Sequence, residues 1–297
     1  MRASRAVPLG VLGAGAACFA YATLVERNSF RLRRCEIPVL PAGARPLKVL
    51  HLSDAHLTPD QLRKIEWMHD LAELEPDLVV NTGDSISHPE ALPAYLYAVA
   101  PLLDVPGVFV LGSNDRYAPV AKNPLRYLLP GDKGVELKRP QSLPWRELSE
   151  AMTARGWLDL DNRRGRLEVG GLTVEFGGVD DSHIDLDRYD DIAGAVDPAA
   201  DAHLGVLHSP EPRVLDRFVA DGYTAMFAGH THGGQVCVPG YGALVTNCGI
   251  DRARVKGLSR YGNAWLHVSA GLGTSPYAPF RFACPPEATL VTLVPHT

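Results

Sequence analysis

Apolar residues gather in short runs bounded by turn residues from Leu47 onward: Leu47–Leu52, Asp77–Asn81, Val108–Leu111, Leu172–Phe176, Leu204–Leu207, Thr224–Phe227, Ala243–Val245, Trp265–Val268 and Thr289–Val294. Runs of this length read as buried strands. Between several of them lie helical stretches, Pro59–Leu74, Pro89–Leu103, Trp145–Arg155 and Glu211–Ala220, each opened by a Pro or an acidic residue near its first turn. Strands and helices alternate in the first half, and strands dominate the second. The pattern predicts an α/β chain with two packed sheets covered by helices.

The N-terminus has a different pattern. Ala6–Val25 is a 20-residue stretch without charge, preceded by Arg2 and Arg5 and followed by Glu26 and Arg27. It is long enough to span a bilayer, and its many Gly and Ala residues also suit a signal peptide cleaved near Ala20-Tyr21-Ala22. Positive charge is nearly balanced across the two flanks and gives no orientation. Pro38 to Pro46 reads as a Pro-rich linker. The expected organisation is an anchor or signal segment over residues 1–36, a linker over 37–46 and a folded domain over 47–297. The expected location is the cell membrane, on either side, with export after cleavage as the alternative.

At 46% hydrophobic and 21% charged residues, the 297-residue chain is globular rather than disordered or fibrous. Lys plus Arg at 29 against Asp plus Glu at 34 gives a formal charge of -5, so no chain-wide basic field exists to hold nucleic acid. Cys18, Cys35, Cys237, Cys248 and Cys284 are odd in number and contain no CxxC, which excludes a disulfide framework and a zinc ribbon as the organising element.

The informative chemistry lies at the ends of the predicted strands. Asp54-Ala55-His56 follows the first, Gly83-Asp84 the second, and Gly112-Ser113-Asn114-Asp115 the third; His208 and Gly229-His230-Thr231-His232-Gly233-Gly234 follow later ones. Ligands bind beyond the carboxyl ends of strands in open α/β sheets. Carboxylates, an amide oxygen and neutral imidazoles together suit Mn, Fe or Zn rather than Ca. A shared carboxylate would hold two such ions close together, and Asp84 is the natural bridge. Each fragment alone is commonly structural; their order is what carries weight.

In that order and spacing the chain resembles the calcineurin-like metallophosphoesterases, with the signature D-x-H, G-D, G-N-H, H and G-H-x-H. The phrases LHLSDAHL, GHTHGGQV, VSAGLGTS and RFACPPEATLVTL resemble the bacterial branch with an N-terminal membrane segment. The resemblance covers residues 48–294 and implies a two-sheet αββα sandwich. It implies one ion held by Asp54, His56, Asp84 and His232, and a second held by Asp84, Asn114, His208 and His230. The implied activity is hydrolysis of a phosphodiester or pyrophosphate by attack of a metal-bound hydroxide. The substrate would be a phosphorylated small molecule or lipid, such as an envelope lipid or a nucleotide-linked precursor. The alternative is a metal-binding pseudoenzyme that recognises a phosphorylated envelope component.

The third block departs from the family. If Gly112 matches the family Gly, Ser113 replaces the ligand Asn and Asn114 the catalytic His. If Asn114 matches the Asn, Asp115 stands where that His would be. The second register keeps an amide oxygen on the metal and is preferred, with Asp115 expected ionised beside the cations and therefore a poor proton donor; a role in orienting a ligand or Arg116 is the alternative for it. The turn Gly178-Val179-Asp180-Asp181-Ser182-His183 could reach the same rim, making His183 a candidate acid. Residues 116–146 carry seven basic side chains against Asp132 and Glu136 and read as a basic cap or a solvated loop.

Overall fold

The computed structural model describes residues 13–120 and 140–296. Two six-stranded sheets form its centre. The first is built from β1 (Arg31–Leu40), β2 (Leu47–Leu52), β3 (Leu78–Asn81), β4 (Gly107–Phe109), β5 (Leu158–Asp159) and β14 (Glu287–Pro295), in the order β1-β14-β2-β3-β4-β5. The second runs β12-β13-β9-β8-β7-β6, from β6 (Arg163–Val169), β7 (Leu172–Gly178), β8 (Ala202–Val206), β9 (Ala225–Ala228), β12 (Gly257–Tyr261) and β13 (Ala264–Val268). β10 (Cys237–Val238) pairs with β11 (Gly242–Ala243) in a small hairpin.

Side-chain alternation builds the layers. Val49, Val80 and Val108 point between the sheets to meet Val174, Leu204 and Phe227. Their neighbours Leu50, Val79 and Phe109 point the other way, as the period of two requires. There they pack on α1 (Leu62–His69), α2 (Leu92–Val99) and α4 (Trp145–Thr153) through Met68, Tyr95 and Met152. On the far side, Met226 and Leu266 pack on Val214, Leu215 and Phe218 of α5 (Pro212–Asp221). The expected αββα sandwich is therefore the observed one. Strands covered on both faces are continuously apolar, which is why the central ones stand out in the sequence.

Edge strands do not stand out, and here the expectations need correction. Residues assigned to the anchor and linker form β1, which pairs in parallel with β14 from Arg31↔Glu287 to Pro38↔Val294. Its exposed Arg side chains and Pro38 disguise it; an edge strand tolerates a Pro because one side makes no ladder. Ile37, Val39 and Leu40 are buried in the central layer, each contributing roughly 1.5–3 kcal/mol of burial. β6 and β12, equally polar edges, were not expected either, and Ala243–Val245 contributes only to the two-residue β11.

Of the expected membrane span Ala6–Val25, residues 6–12 lie outside the described residues. Residues 13–20 are α-helical and continue into a π turn, Tyr21–Val25, and a 3-10 turn, Glu26–Asn28. Among the described residues no helix is long and apolar enough to cross a membrane. The segment docks on the domain: Arg281 N–H donates to the Ala22 carbonyl at 3.1 Å, and Cys284 N–H donates to the Glu26 carboxylate at 2.6 Å.

Candidate metal centre

Parallel neighbours β2 and β3 in one sheet, and β8 and β9 in the other, turn their carboxyl ends to one rim. From them emerge Asp54 and His56, Asp84, His208, and His230 and His232 respectively. The rim backbone is strained: Asp54, His56, Asp84, His230 and His232 have φ values of 49°, 42°, 53°, 67° and 49°. Left-handed backbone at a non-glycine residue costs about 1–3 kcal/mol and concentrates where a site demands it. Five such residues at one rim are held by the fold against their local preference. Gly112, at the head of the four-residue helix α3 (Ser113–Arg116), lies so close that a Cβ there would overlap Asp84 Oδ1.

Asp84 sits at the middle of the donor set. Its Oδ2 lies 3.4 Å from His56 Nε2 and 3.4 Å from His208 Nε2. On one side, Asp54 Oδ1 is 3.6 Å from His232 Nε2 and 4.0 Å from His56 Nε2. On the other, His208 Nε2 faces His230 Nδ1 at 3.3 Å. Asp54, His56 and His232 form one compact set of potential ligands, and Asp54, Asp84 and His208 a second that shares Asp54 with it.

Hydrogen placement, assigned from the partners, tests whether these groups suit cations. His208 Nδ1 lies 2.7 Å from the Thr82 carbonyl, which only accepts, so Nδ1 carries the hydrogen and Nε2 offers a lone pair. His232 Nδ1 donates to the Gly273 carbonyl at 3.2 Å, which leaves its Nε2 bare as well. His230 Nε2 lies between the Asn247 carbonyl at 3.2 Å and the Asn247 side-chain Nδ2 at 3.3 Å, and His56 Nδ1 faces the Ser87 hydroxyl at 2.8 Å; these partners serve either tautomer. His56 Nε2 meets His232 Nε2 at 3.1 Å. Imidazole lone pairs gathered beside carboxylates are what a divalent ion with N and O ligands requires. The residues fit metal ions.

Charge leads to the same conclusion. Burial pushes His56 down to about 4 and His230 and His232 well below the usual imidazole range, leaving them neutral ligands. Burial also lifts Asp54 to about 6, with Asp84 adding to the rise. Burial opposes a charge on His208 as well, but Asp84, Asp181 and Asp54 outweigh it and hold its pKa well above the ordinary value. The cluster demands positive charge, and either a proton on His208 or a cation provides it.

Asp115 is not in the site. Its Oδ2 accepts the N–H groups of Asp84 at 2.7 Å and Gly112 at 2.9 Å, and its Oδ1 those of Ser85 at 2.7 Å and Ile86 at 3.2 Å. With both oxygens spent on backbone it is a strut beneath the Asp84 turn, neither a proton donor nor a partner of Arg116. Arg116 instead bridges Asp161 at 2.8 Å and Asp180 at 2.7 Å, which removes it from the expected basic cap; residues 121–139 of that cap lie outside the described residues. Asn114 meets Asp84 through its donors, N–H at 2.8 Å and Nδ2 at 2.7 Å.

The turn after β7 does reach the rim. His183 is exposed, with its ring centroid 4.4 Å from that of His230. The buried Asp181 pins the turn by accepting Ser113 N–H and His183 N–H, each at 2.8 Å. The sequence marked the turn that carries Asp181, but not that this carboxylate ties Ser113 to His183. Sequence reasoning could not find Thr82, Asn247 and Gly273 as supports, since they meet the imidazoles through backbone carbonyls, which carry no sequence signature.

Residues 47–234 match the family model described as calcineurin-like phosphoesterase. The chain is 27% identical to the uncharacterized metallophosphoesterase YkuE of Bacillus subtilis over 97% of this chain and 93% of that protein. It is 26% identical to the phosphodiesterase YaeI of Escherichia coli, over 93% of each.

Proposed function

Since the chain belongs to the calcineurin-like phosphoesterase family and is thereby a metal-dependent phosphoester hydrolase, we propose that its substrate is a phosphodiester or pyrophosphate. An envelope lipid or a nucleotide-linked precursor is the class we favour. One ion would be held by Asp54, His56, Asp84 and His232, and a second by Asp84, His208 and His230; the mixture of carboxylate and imidazole supports Mn, Fe or Zn. The observation that carries this reading is the position of Asp84 Oδ2, 3.4 Å from an imidazole of each set.

Bound divalent ions supply Lewis-acid polarisation of phosphoryl oxygens and acidify a water. The chain's own groups do the rest. Asn114 fixes both oxygens of Asp84, and the carbonyls of Thr82 and Gly273 keep His208 and His232 in the ligating tautomer. His183, exposed beside His230, is placed to give a proton to the departing oxygen.

Membrane association is part of the proposal. It is supported by the exposed side chains of the N-terminal helical segment, with Phe19 at 62% and Leu24 at 71%.

A panel of phosphodiesters, pyrophosphates and phosphomonoesters, assayed with Mn, Fe or Zn restored to chelated protein, tests the reading. Hydrolysis of a diester or pyrophosphate should be lost, together with bound metal, in Asp84→Asn and kept in His69→Ala. Turnover of phosphomonoesters alone, or equal activity in both variants, would overturn it.

A further inference from the structure

Between the sheets, behind the metal centre, five polar side chains line up. His267 Nδ1 and His51 Nδ1 are 2.8 Å apart, and His51 Nε2 is 3.0 Å from Thr82 Oγ1. Thr82 Oγ1 is 2.7 Å from Ser53 Oγ, and Ser53 Oγ is 2.5 Å from Asp54 Oδ2. All five residues are buried. Space is kept for the last three by Gly229, where a Cβ would overlap the Ser53 hydroxyl and crowd Asp54 Oδ2.

The direction of this chain follows from counting hydrogens. An ionised Asp54 only accepts, so the Ser53 hydroxyl donates to it. Ser53 then has no hydrogen left for Thr82, so Thr82 donates to Ser53; its other acceptor, the Leu52 carbonyl, is distant at 3.5 Å. Thr82 in turn must accept from His51 Nε2–H. His51 Nδ1 is therefore bare and accepts from His267 Nδ1–H. Each hydrogen has one place to go.

We propose that His267, His51, Thr82 and Ser53 are positioning residues that act in series on the metal ligand Asp54. His230 N–H is shared by both carboxylate oxygens, Oδ2 at 3.0 Å and Oδ1 at 3.1 Å, so the Ser53 hydroxyl on Oδ2 is what distinguishes them and turns Oδ1 toward His56 and His232. The inference rests on the proposed metal centre. It adds that a histidine pair in the interior sets the orientation of one ligand, as hydrogen-bonded partners beyond the ligands do in metal sites.

The test uses full-length protein. In wild-type protein freed of metal by chelation, imidazole nitrogen NMR should report His51 as the Nε2–H tautomer and His267 as the Nδ1–H tautomer. Thr82→Val keeps the side-chain shape and the carbonyl that holds His208, yet breaks the chain. It should weaken Mn2+ binding by about tenfold or more by calorimetry, while Thr82→Ser restores it. Reversed tautomers, or Mn2+ bound by Thr82→Val as tightly as by wild type, would overturn the inference. Wild type that binds none of Mn, Fe and Zn would instead bring down the proposed function, and the tautomers would still decide whether the chain is directed as stated.

Discussion

Asn114 grips Asp84 twice, its backbone N–H on Oδ1 at 2.8 Å and its side-chain Nδ2 on Oδ2 at 2.7 Å. The second oxygen is the one shared between His56 and His208. Asn114→Ala keeps the backbone bond and loses the other, so the fold should hold while the bridging oxygen is freed. Metal affinity is expected to fall about tenfold or more, with a melting temperature within a few degrees of wild type. A variant that melts early but binds metal normally would make Asn114 a purely structural residue.

Asp115 should behave in the opposite way. Removing a buried carboxylate that serves four backbone N–H groups leaves donors without partners, each costing about 1–3 kcal/mol. Asp115→Ala is expected to lose roughly 3 kcal/mol or more in denaturant unfolding. Asp115→His should also be unstable and show no selective gain on alkyl diesters. Such a gain would return Asp115 to the reacting atoms.

Asp54, His56, Asp84, His208, His230 and His232 were legible because each pairs a distinctive side chain with a strand end. A continuous apolar run also announces a strand buried on both faces, so β2, β3, β8 and β9 were found with their loops. β1 was not, because an edge strand can be as polar as a linker and can hold Pro38. The role of Asp115 was hidden for another reason: a carboxylate that caps a turn and one that meets substrate look alike in sequence, and only the four amides around it distinguish them. His51 and His267 were not legible as partners, because nothing local in the sequence shows that they touch across two sheets.

Deleting residues 1–36, the boundary expected from sequence, removes the Glu26 contact to Cys284 and the pairing of Arg31 through Glu36 with β14. Losing several kcal/mol in a domain of this size should lower the melting temperature by roughly 10 °C or more or drive aggregation through the bared edge. A chain beginning at Gly13 keeps these contacts and should melt well above one beginning at Ile37. Equal stability of the two truncations by calorimetry would show that β1 contributes little.

Lys64 is buried, with Nζ donating to the Ala55 carbonyl and to Gln61 Oε1, each at 2.8 Å. Burial first, then Arg281 and Arg27, lowers its pKa from 10.5 to about 7. Above about 7 the folded chain has released this proton, while the unfolded chain keeps it to about 10.5. The unfolded state thus binds more protons across that window, and this group's contribution to stability rises with pH through it. Urea unfolding at pH 7 and pH 9.5 should show a rise in wild type that is reduced in Lys64→Met. The same pH dependence in both proteins would mean that Lys64 stays charged in the fold.

His183 makes a claim about the leaving group. The third block, Gly112-Ser113-Asn114-Asp115, holds no histidine in either register; an Asn amide cannot give up a proton at neutral pH and Asp115 spends both oxygens on backbone N–H groups, so a departing alkoxide needs another donor. His183 is the exposed imidazole at the rim, held beside His230 by the bond from its N–H to the Asp181 carboxylate. Proton donation is worth about 10²–10⁴-fold for a poor leaving group and little for a good one. His183→Ala should therefore slow alkyl diesters by about 10²-fold or more, leave aryl diesters within a fewfold, and bind metal as wild type does. Equal slowing of both classes would indicate that His183 positions substrate, because lost positioning penalises every leaving group alike while a lost proton penalises only those that need one.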